Sequence, residues 1–167
     1  VRTESLQHLI GTQRVALRND VEAAILGIDS LSHESFSWIN RVPTRADGLK
    51  VLVTLGTGFG RALLTPDGRA FAGEGGHASF APRTLVEANL VMHFLRQDLS
   101  LSIEQVLSGP GLYRLYDYLV QTALIDPDPH VAERIRRGED PSAVIGELGV
   151  NDEEAGCAAA VTWFAQL

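Results

Sequence analysis

The chain is 167 residues long, 45% hydrophobic and 21% charged, which suits one globular domain with its own core or a piece of a larger one. Its formal net charge of −7 argues against nucleic acid and anionic membrane as partners, since both call for clustered Lys and Arg; a phosphorylated ligand would need oriented amides or a metal. A single cysteine, Cys157, allows no internal disulfide and no cysteine zinc site, and it fits a reducing, cytoplasmic setting.

No apolar run approaches the roughly 18 residues of a membrane span, and the start carries no signal-peptide pattern. The chain opens at Val1 without methionine and finishes inside an apolar helical pattern, DEEAGCAAAVTWFAQL, with no capping glycine. Both ends read as those of an internal segment of a longer protein.

In chain order, TESLQHLI (3–10) reads as a helix closed by Gly11, and RVALR (14–18) as a short buried strand ending at Asn19-Asp20. VEAAILGIDSL (21–31) returns to helical spacing. Residues 31–48 show no clean period, carry Pro43 and Gly48, and read as a loop. LKVLVTLG (49–56) is a strong strand pattern; GRALLT (60–65) and RAFAGE (69–74) follow it across a glycine corner and a PDG turn, which gives a three-strand meander. From residue 84 the pattern is helical, over 84–99, 102–107, 111–121, 130–138, 141–148 and the terminal run. Strands first and helices later, without strict alternation, predict a mixed α/β or α+β piece.

Four short stretches invite a functional reading. LGTGFG (55–60) follows a strand but lacks a Walker GK[ST] and the GxGxxG spacing, and it leads into another strand. Its amides and the Thr57 hydroxyl suit a phosphate; a tight hairpin with no ligand suits the pattern equally. Asn19-Asp20 places a carboxylate at a strand end, where Asp also serves as an ordinary helix N-cap. GEGGHASFAP (73–82) packs Glu74 and His77 among glycines, which bring no core surface but allow close approach to a small ligand. A lone Glu-x-x-His is a weak metal pattern; a polar turn or a hydrogen-bonding pair for a polyhydroxylated ligand explains it as well. EQVLSGPGL (104–112) ends one helix near Ser108-Gly109, starts another at Pro110, and leaves Glu104 near the buried side of a short helix, where an ordinary surface glutamate is the commoner case.

Taken together in this order, N-D (19–20), G-T-G-F-G (56–60), G-E-G-G-H-A-S-F-A-P (73–82) and E-Q-V-L-S-G-P-G-L (104–112) resemble the bacterial glucokinase family of the actin-like sugar kinase superfamily. The resemblance runs from about residue 10 to the end and is weakest over 31–48 and after 122. It implies an incomplete α/β, actin-like (ribonuclease H-like) fold. Residues 1–48 would be the end of a small N-terminal domain with the interdomain region, and 49–167 part of a large C-terminal domain. It implies Asp20 as the catalytic base on the sugar 6-hydroxyl, and Asn19, Glu74, His77 and Glu104 as ligands of the other hydroxyls. Gly56, Thr57 and Gly58 would form the second phosphate loop.

The implied activity is phosphorylation of glucose at the 6-hydroxyl by ATP with Mg, the first step of glycolysis, by a cytoplasmic enzyme that is a homodimer when full length. The sequence departs from the family in Val21-Glu22, where an aromatic-Thr pair is usual, and in Ser79, where an acid is common. The cysteine zinc cluster of the related repressor and sugar kinase family cannot be built from one cysteine, so no structural zinc is expected. The family's first phosphate loop, expected before Val1, and its adenosine-contacting Gly-Gly motif, expected beyond Leu167, are absent, so the segment alone is expected to be inactive. Two other readings stand beside the enzyme: a non-catalytic sugar sensor on the same fold, which would not need a base at Asp20, and an unrelated α/β binding module.

Overall fold

A computed structural model describes residues 2–40, 42, 45, 47–97 and 100–167. They form a three-stranded sheet and eight α-helices, and the chain divides into two compact units, Val1–Leu52 with Arg61–Gly73 and Val53–Gly60 with Glu74–Leu167.

In the first unit, α1 (Thr3–Ile10) stops at Gly11, whose φ of 74° is open to glycine and lets its N–H bond back to Gln7 O. Residues 14–18 do not form the expected strand. A strand exists by pairing, and among the described residues no main-chain group pairs with these; the Arg14 amide donates to the Thr12 hydroxyl instead, and Leu17 stays half exposed. Helix α2 (Asp20–Gly27) starts one residue earlier than its apolar pattern suggested. Its cap is Asn19, not Asp20: Asn19 is extended, and its Oδ1 accepts from the amides of Val21 and Glu22. The 31–48 stretch is irregular where it is described, apart from a 3-10 turn at His33–Ser35, while the expected loop residues 41, 43, 44 and 46, Pro43 among them, lie outside the described residues.

Strands β1 (Lys50–Leu55), β2 (Phe59–Leu64) and β3 (Ala70–Gly73) lie in the order β1-β2-β3 as the meander predicts, and β2 and β3 are antiparallel with Leu63 opposite Phe71 and Leu64 opposite Ala70. The alternation of strands decides the burial. Ala62 and Leu64 are buried with Ile25 of α2, and Val21, Ile28, Leu52 and Ala70 pack around them. The intervening Leu63 and Phe71 remain partly exposed. The turn between β2 and β3 closes through Thr65 N–H to Arg69 O at 2.9 Å, with Gly68 at φ 81°.

The second unit is helical: α3 (Leu85–Leu95), α4 (Ile103–Val106), α5 (Gly109–Gln121), α6 (Pro129–Arg136), α7 (Pro141–Val150) and α8 (Ala155–Gln166). The expected run to residue 99 ends at Leu95, and positions 98 and 99 lie outside the described residues. Each start has its own oxygen acceptor, from Thr84, Ser102, Ser108, Asp128, Asp140 and Glu154 in turn. Their apolar faces meet in one core that includes Leu90, Leu115, Leu119, Val144, Ile145 and Cys157. Each such fully buried aliphatic side chain contributes about 1.5–3 kcal/mol. Helices α7 and α8 touch so closely at Gly149 that an added Cβ would stand 2.5 Å from the carbonyl oxygen of Cys157.

Glu87 and Cys157 are enclosed in this packing. Glu87 is 4% exposed, yet its carboxylate accepts from Arg83 N at 2.6 Å and from the Arg83 guanidinium at 3.1 Å. The Arg83 amide, and then its guanidinium, hold the Glu87 carboxyl below the usual carboxylate range against the opposing effect of burial. Burial, followed by the nearby Glu154 carboxylate, pushes the Cys157 thiol up to about 12.

Candidate functional site

Six of the expected site residues, Gly56, Thr57, Gly58, Glu74, His77 and Glu104, belong to the second unit, and Asn19 and Asp20 belong to the first. In the first unit, Asp20 is the first residue of α2 and is exposed, with its Oδ1 2.8 Å from the amide of Val21. An exposed carboxylate at a helix N-terminus is reachable by a ligand and can accept a hydrogen bond or a proton. Asn19 spends its Oδ1 on the cap, which leaves its amide nitrogen to donate.

In the second unit, Gly56, Thr57 and Gly58 form the corner between β1 and β2, and the corner is fastened at both sides. The Gly109 amide, at the first residue of α5, donates to Gly56 O at 2.7 Å. The Gly56 amide closes the turn onto Gly58 O at 3.0 Å, and the Phe59 amide donates to Glu104 Oε2 at 2.8 Å. Among the described residues, the amides of Thr57 and Gly58 donate to no protein acceptor. Two unspent N–H groups and the exposed Thr57 hydroxyl are the donor set of an anion cradle. Beside it opens a cavity of about 500 Å³ lined by Gly56, Thr57, Ser108, Gly109, Asp140 and Ser142 among others.

The GEGGHASFAP segment leaves β3 and makes a 3-10 turn at Gly75–His77. Glu74 and His77 flank this turn with their heads together, His77 Nε2 3.4 Å from Glu74 Oε2, and the two side chains are 82% and 68% exposed. They are available to a ligand rather than used by the fold. The backbone between them is not free: a Cβ at Gly76 would stand 2.7 Å from Phe59 O. Further along, Phe80 N–H donates to Leu101 O at 2.8 Å and Ile103 N–H to Ala78 O at 2.9 Å, a two-bond staple around the Ser79–Ser102 bridge. The staple fixes α4, and with it Glu104, against this segment. Glu104 is half-buried, as the position near the buried side of a short helix predicts.

The sequence pattern did not mark Ser108 and Gly109 as parts of the site. Ser108 is buried and caps α5 through its bond from Gly111 N at 3.1 Å, and Gly109 supplies the amide that holds Gly56. The S-G-P spelling of a helix start was the available signal. Among the described residues there is no group of three or more His, Cys, Asp or Glu positioned to hold a metal ion, and no helix is long and apolar enough to cross a membrane.

The chain is 30% identical over 167 residues to a glucokinase of Trichormus variabilis and 31% identical over 166 residues to a glucokinase of Tolumonas auensis; these alignments take in 91% and 97% of this chain but 49% and 48% of those proteins. The chain therefore spans about half the length of the curated relatives it matches. A crystal structure of glucokinase from an Antarctic psychrotroph superposes on 96% of this chain and 48% of its own, with a TM-score of 0.76 at 24% identity. A glucokinase from Balamuthia mandrillaris, solved in complex with glucose, covers 74% of this chain and 34% of its own with a TM-score of 0.56 at 20% identity. The family profile described as Glucokinase matches residues 1–167, and the chain belongs to the glucokinase family.

Proposed function

We propose that the full-length protein transfers the γ-phosphoryl group of MgATP to the 6-hydroxyl of glucose, on an actin-like fold in which residues 1–48 end the small domain and residues 49–167 form part of the large one. The observation that best supports this reading is the Gly56–Gly58 corner, with its two unspent amides, the Thr57 hydroxyl and the cavity next to it. Such a corner, held in place by its neighbours, offers donors where charge builds on a transferring phosphoryl group. Magnesium arrives with ATP as part of the substrate and neutralises the phosphates.

In this reaction the protein positions groups more than it makes bonds. The sugar 6-oxygen bonds to phosphorus as the bond from phosphorus to the ADP oxygen breaks, and Asp20 takes the hydroxyl proton. Glu74 and Glu104 accept from sugar hydroxyls, Asn19 donates through its amide nitrogen, and His77 does either. A site of this kind recognises hydroxyls by the cost of leaving its own polar groups unpaired. One buried free cysteine is in keeping with a reducing cytoplasm, and the assembly proposed is a homodimer.

The test is carried out on the full-length protein. An assay that couples ADP release to glucose should show turnover, and deoxy sugars should be poor substrates. Glu74→Gln should weaken glucose binding by about 1–3 kcal/mol, the cost of a lost charged hydrogen bond, in calorimetry without nucleotide. Glucose binding without any turnover would identify a sensor instead of a kinase. Parental affinity in both Glu74→Gln and His77→Ala would remove the 73–82 segment from the sugar site.

A further inference from the structure

Glu104 does more in this structure than a hydroxyl ligand needs to do. Its Oε2 accepts the Phe59 amide at 2.8 Å, across 45 residues of sequence, and no other hydrogen bond engages its carboxylate among the described residues. The same oxygen lies against Gly58, where an added Cβ would stand 2.7 Å from it. The Glu104 stem lies against the other glycine segment, 3.3 Å from a Cβ built at Gly76. The backbone staple between residues 78–80 and 101–103 makes α4 and that segment one piece. One side chain therefore stands at the meeting of the phosphate corner and the GEGGH segment, one oxygen committed to the corner and the other uncommitted.

We propose that Glu104 is a positioning residue that couples the two substrate sites: a sugar hydroxyl on Oε1 fixes the carboxylate, and Oε2 thereby fixes the Phe59 amide and the Gly56–Gly58 corner. This rests on the reading of Glu104 as a sugar ligand. The physical cause is geometric. The two oxygens of a carboxylate share one plane, so a bond that orients one orients the other. The coupling is reciprocal, as linkage requires: whatever disturbs the corner must loosen the sugar.

Gly58→Ala is the discriminating variant, because its methyl group displaces the flexible end of Glu104 from the corner while the identity of every residue read as a sugar ligand is kept. In the full-length protein without nucleotide, Gly58→Ala should weaken glucose binding about tenfold, the effect of losing roughly one hydrogen bond's worth of orientation. Placed on a Glu104→Ala background, the same substitution should change glucose affinity less than twofold. In the parent, glucose should shift the Phe59 amide resonance, and in Glu104→Gln that shift should shrink, a readout that a merely structural role would not move. Thermal unfolding accompanies each variant, and the resonance test of Glu104→Gln stands where Gly58→Ala fails to fold. If Glu104→Ala binds glucose as tightly as the parent, the sugar-ligand reading fails and the coupling with it. If Glu104→Ala loses glucose while Gly58→Ala binds it normally, or weakens it equally on both backgrounds, the ligand reading survives and the coupling is overturned.

Discussion

The two units of the chain solve different problems. Among the described residues, the first unit buries Ile25, Ala62 and Leu64 completely or nearly so, and leaves Leu17, Val51, Leu63 and Phe71 partly or mostly exposed. The second closes six helices over a core that reaches from Leu90 on α3 to Ala160 on α8. Yet the first unit carries Asp20, the proposed base, on a short helix whose cap and exposure make few demands on packing. The contrast separates chemistry from stability. A reacting carboxylate needs a defined backbone position, and a capped helix start supplies it, whereas holding a loop in place for a phosphate needs a rigid body behind it.

The sharpest test of that contrast is Asp20→Ala in the full-length protein. The loss of a general base lowers kcat by about 10²–10⁴-fold. The fold should scarcely notice, because an exposed acid at a helix start contributes only about 0.3–1 kcal/mol. Steady-state kinetics beside thermal melting decide it, and a near-parental kcat would return Asp20 to a local role at the start of α2. Ile145→Ala should do the reverse in the second unit. Ile145 is fully buried, and truncation of such a side chain costs about 2–5 kcal/mol. Leu63→Ala in the first unit should cost less, about 1 kcal/mol, since Leu63 is already 40% exposed. The sequence contains two tryptophans, Trp38 and Trp163, and each unit holds one of them. Single-tryptophan variants in urea therefore follow the units separately, and equal costs at positions 145 and 63 would erase the distinction.

A smaller effect lies in the acid limb of the second unit. The carboxyl of Glu87 is held below its ordinary value of 4.5, first by the amide of Arg83 and then by its guanidinium. A carboxyl depressed in the folded state contributes stability above its unfolded value, and the contribution disappears as pH falls through the folded value. Glu87→Gln should thus be less stable than the parent at pH 7, with the gap closing below about pH 4.5. A gap that persists unchanged to pH 3, measured by Trp163 fluorescence, would assign Glu87 to packing alone.

These residues also indicate how much was legible in the sequence. Helices could be read because their signals are local: Ser102 and Gln105 form a complete capping box within one turn, and Asp128-Pro129 and Asp140-Pro141 announce two starts outright. The meander could be read because each corner had its own turn residues. The strand expected at 14–18 failed because pairing is a property of two segments, and β propensity in one of them cannot supply the other. The cap of α2 went to Asn19 although both residues rank as good caps, since the choice turns on which backbone is extended. At the site, the residue types were legible and their linkage was not. The bond from the Phe59 amide to Glu104 joins a main-chain donor to an acceptor 45 positions away, and no periodicity or composition encodes that.

The smallest effect is expected to run in the opposite direction, as a gain. Gly27 ends α2 at φ −82° and ψ −9°, a right-handed conformation that any residue adopts, and a Cβ built there meets nothing within 4 Å. Glycine at such a position raises the entropy of the unfolded chain and gains nothing in the folded one, so Gly27→Ala should stabilise the first unit by about 0.4–1 kcal/mol. The same exchange at Gly149 in the second unit would drive a methyl group into the backbone of α8. Opposite signs at these two positions are what a loosely packed unit and a tightly packed one should give, and urea midpoints read through Trp38 and Trp163 measure them. A loss of stability in Gly27→Ala would mean that the end of α2 is packed as closely as the helical core, and the difference between the units would then lie in their chemistry alone.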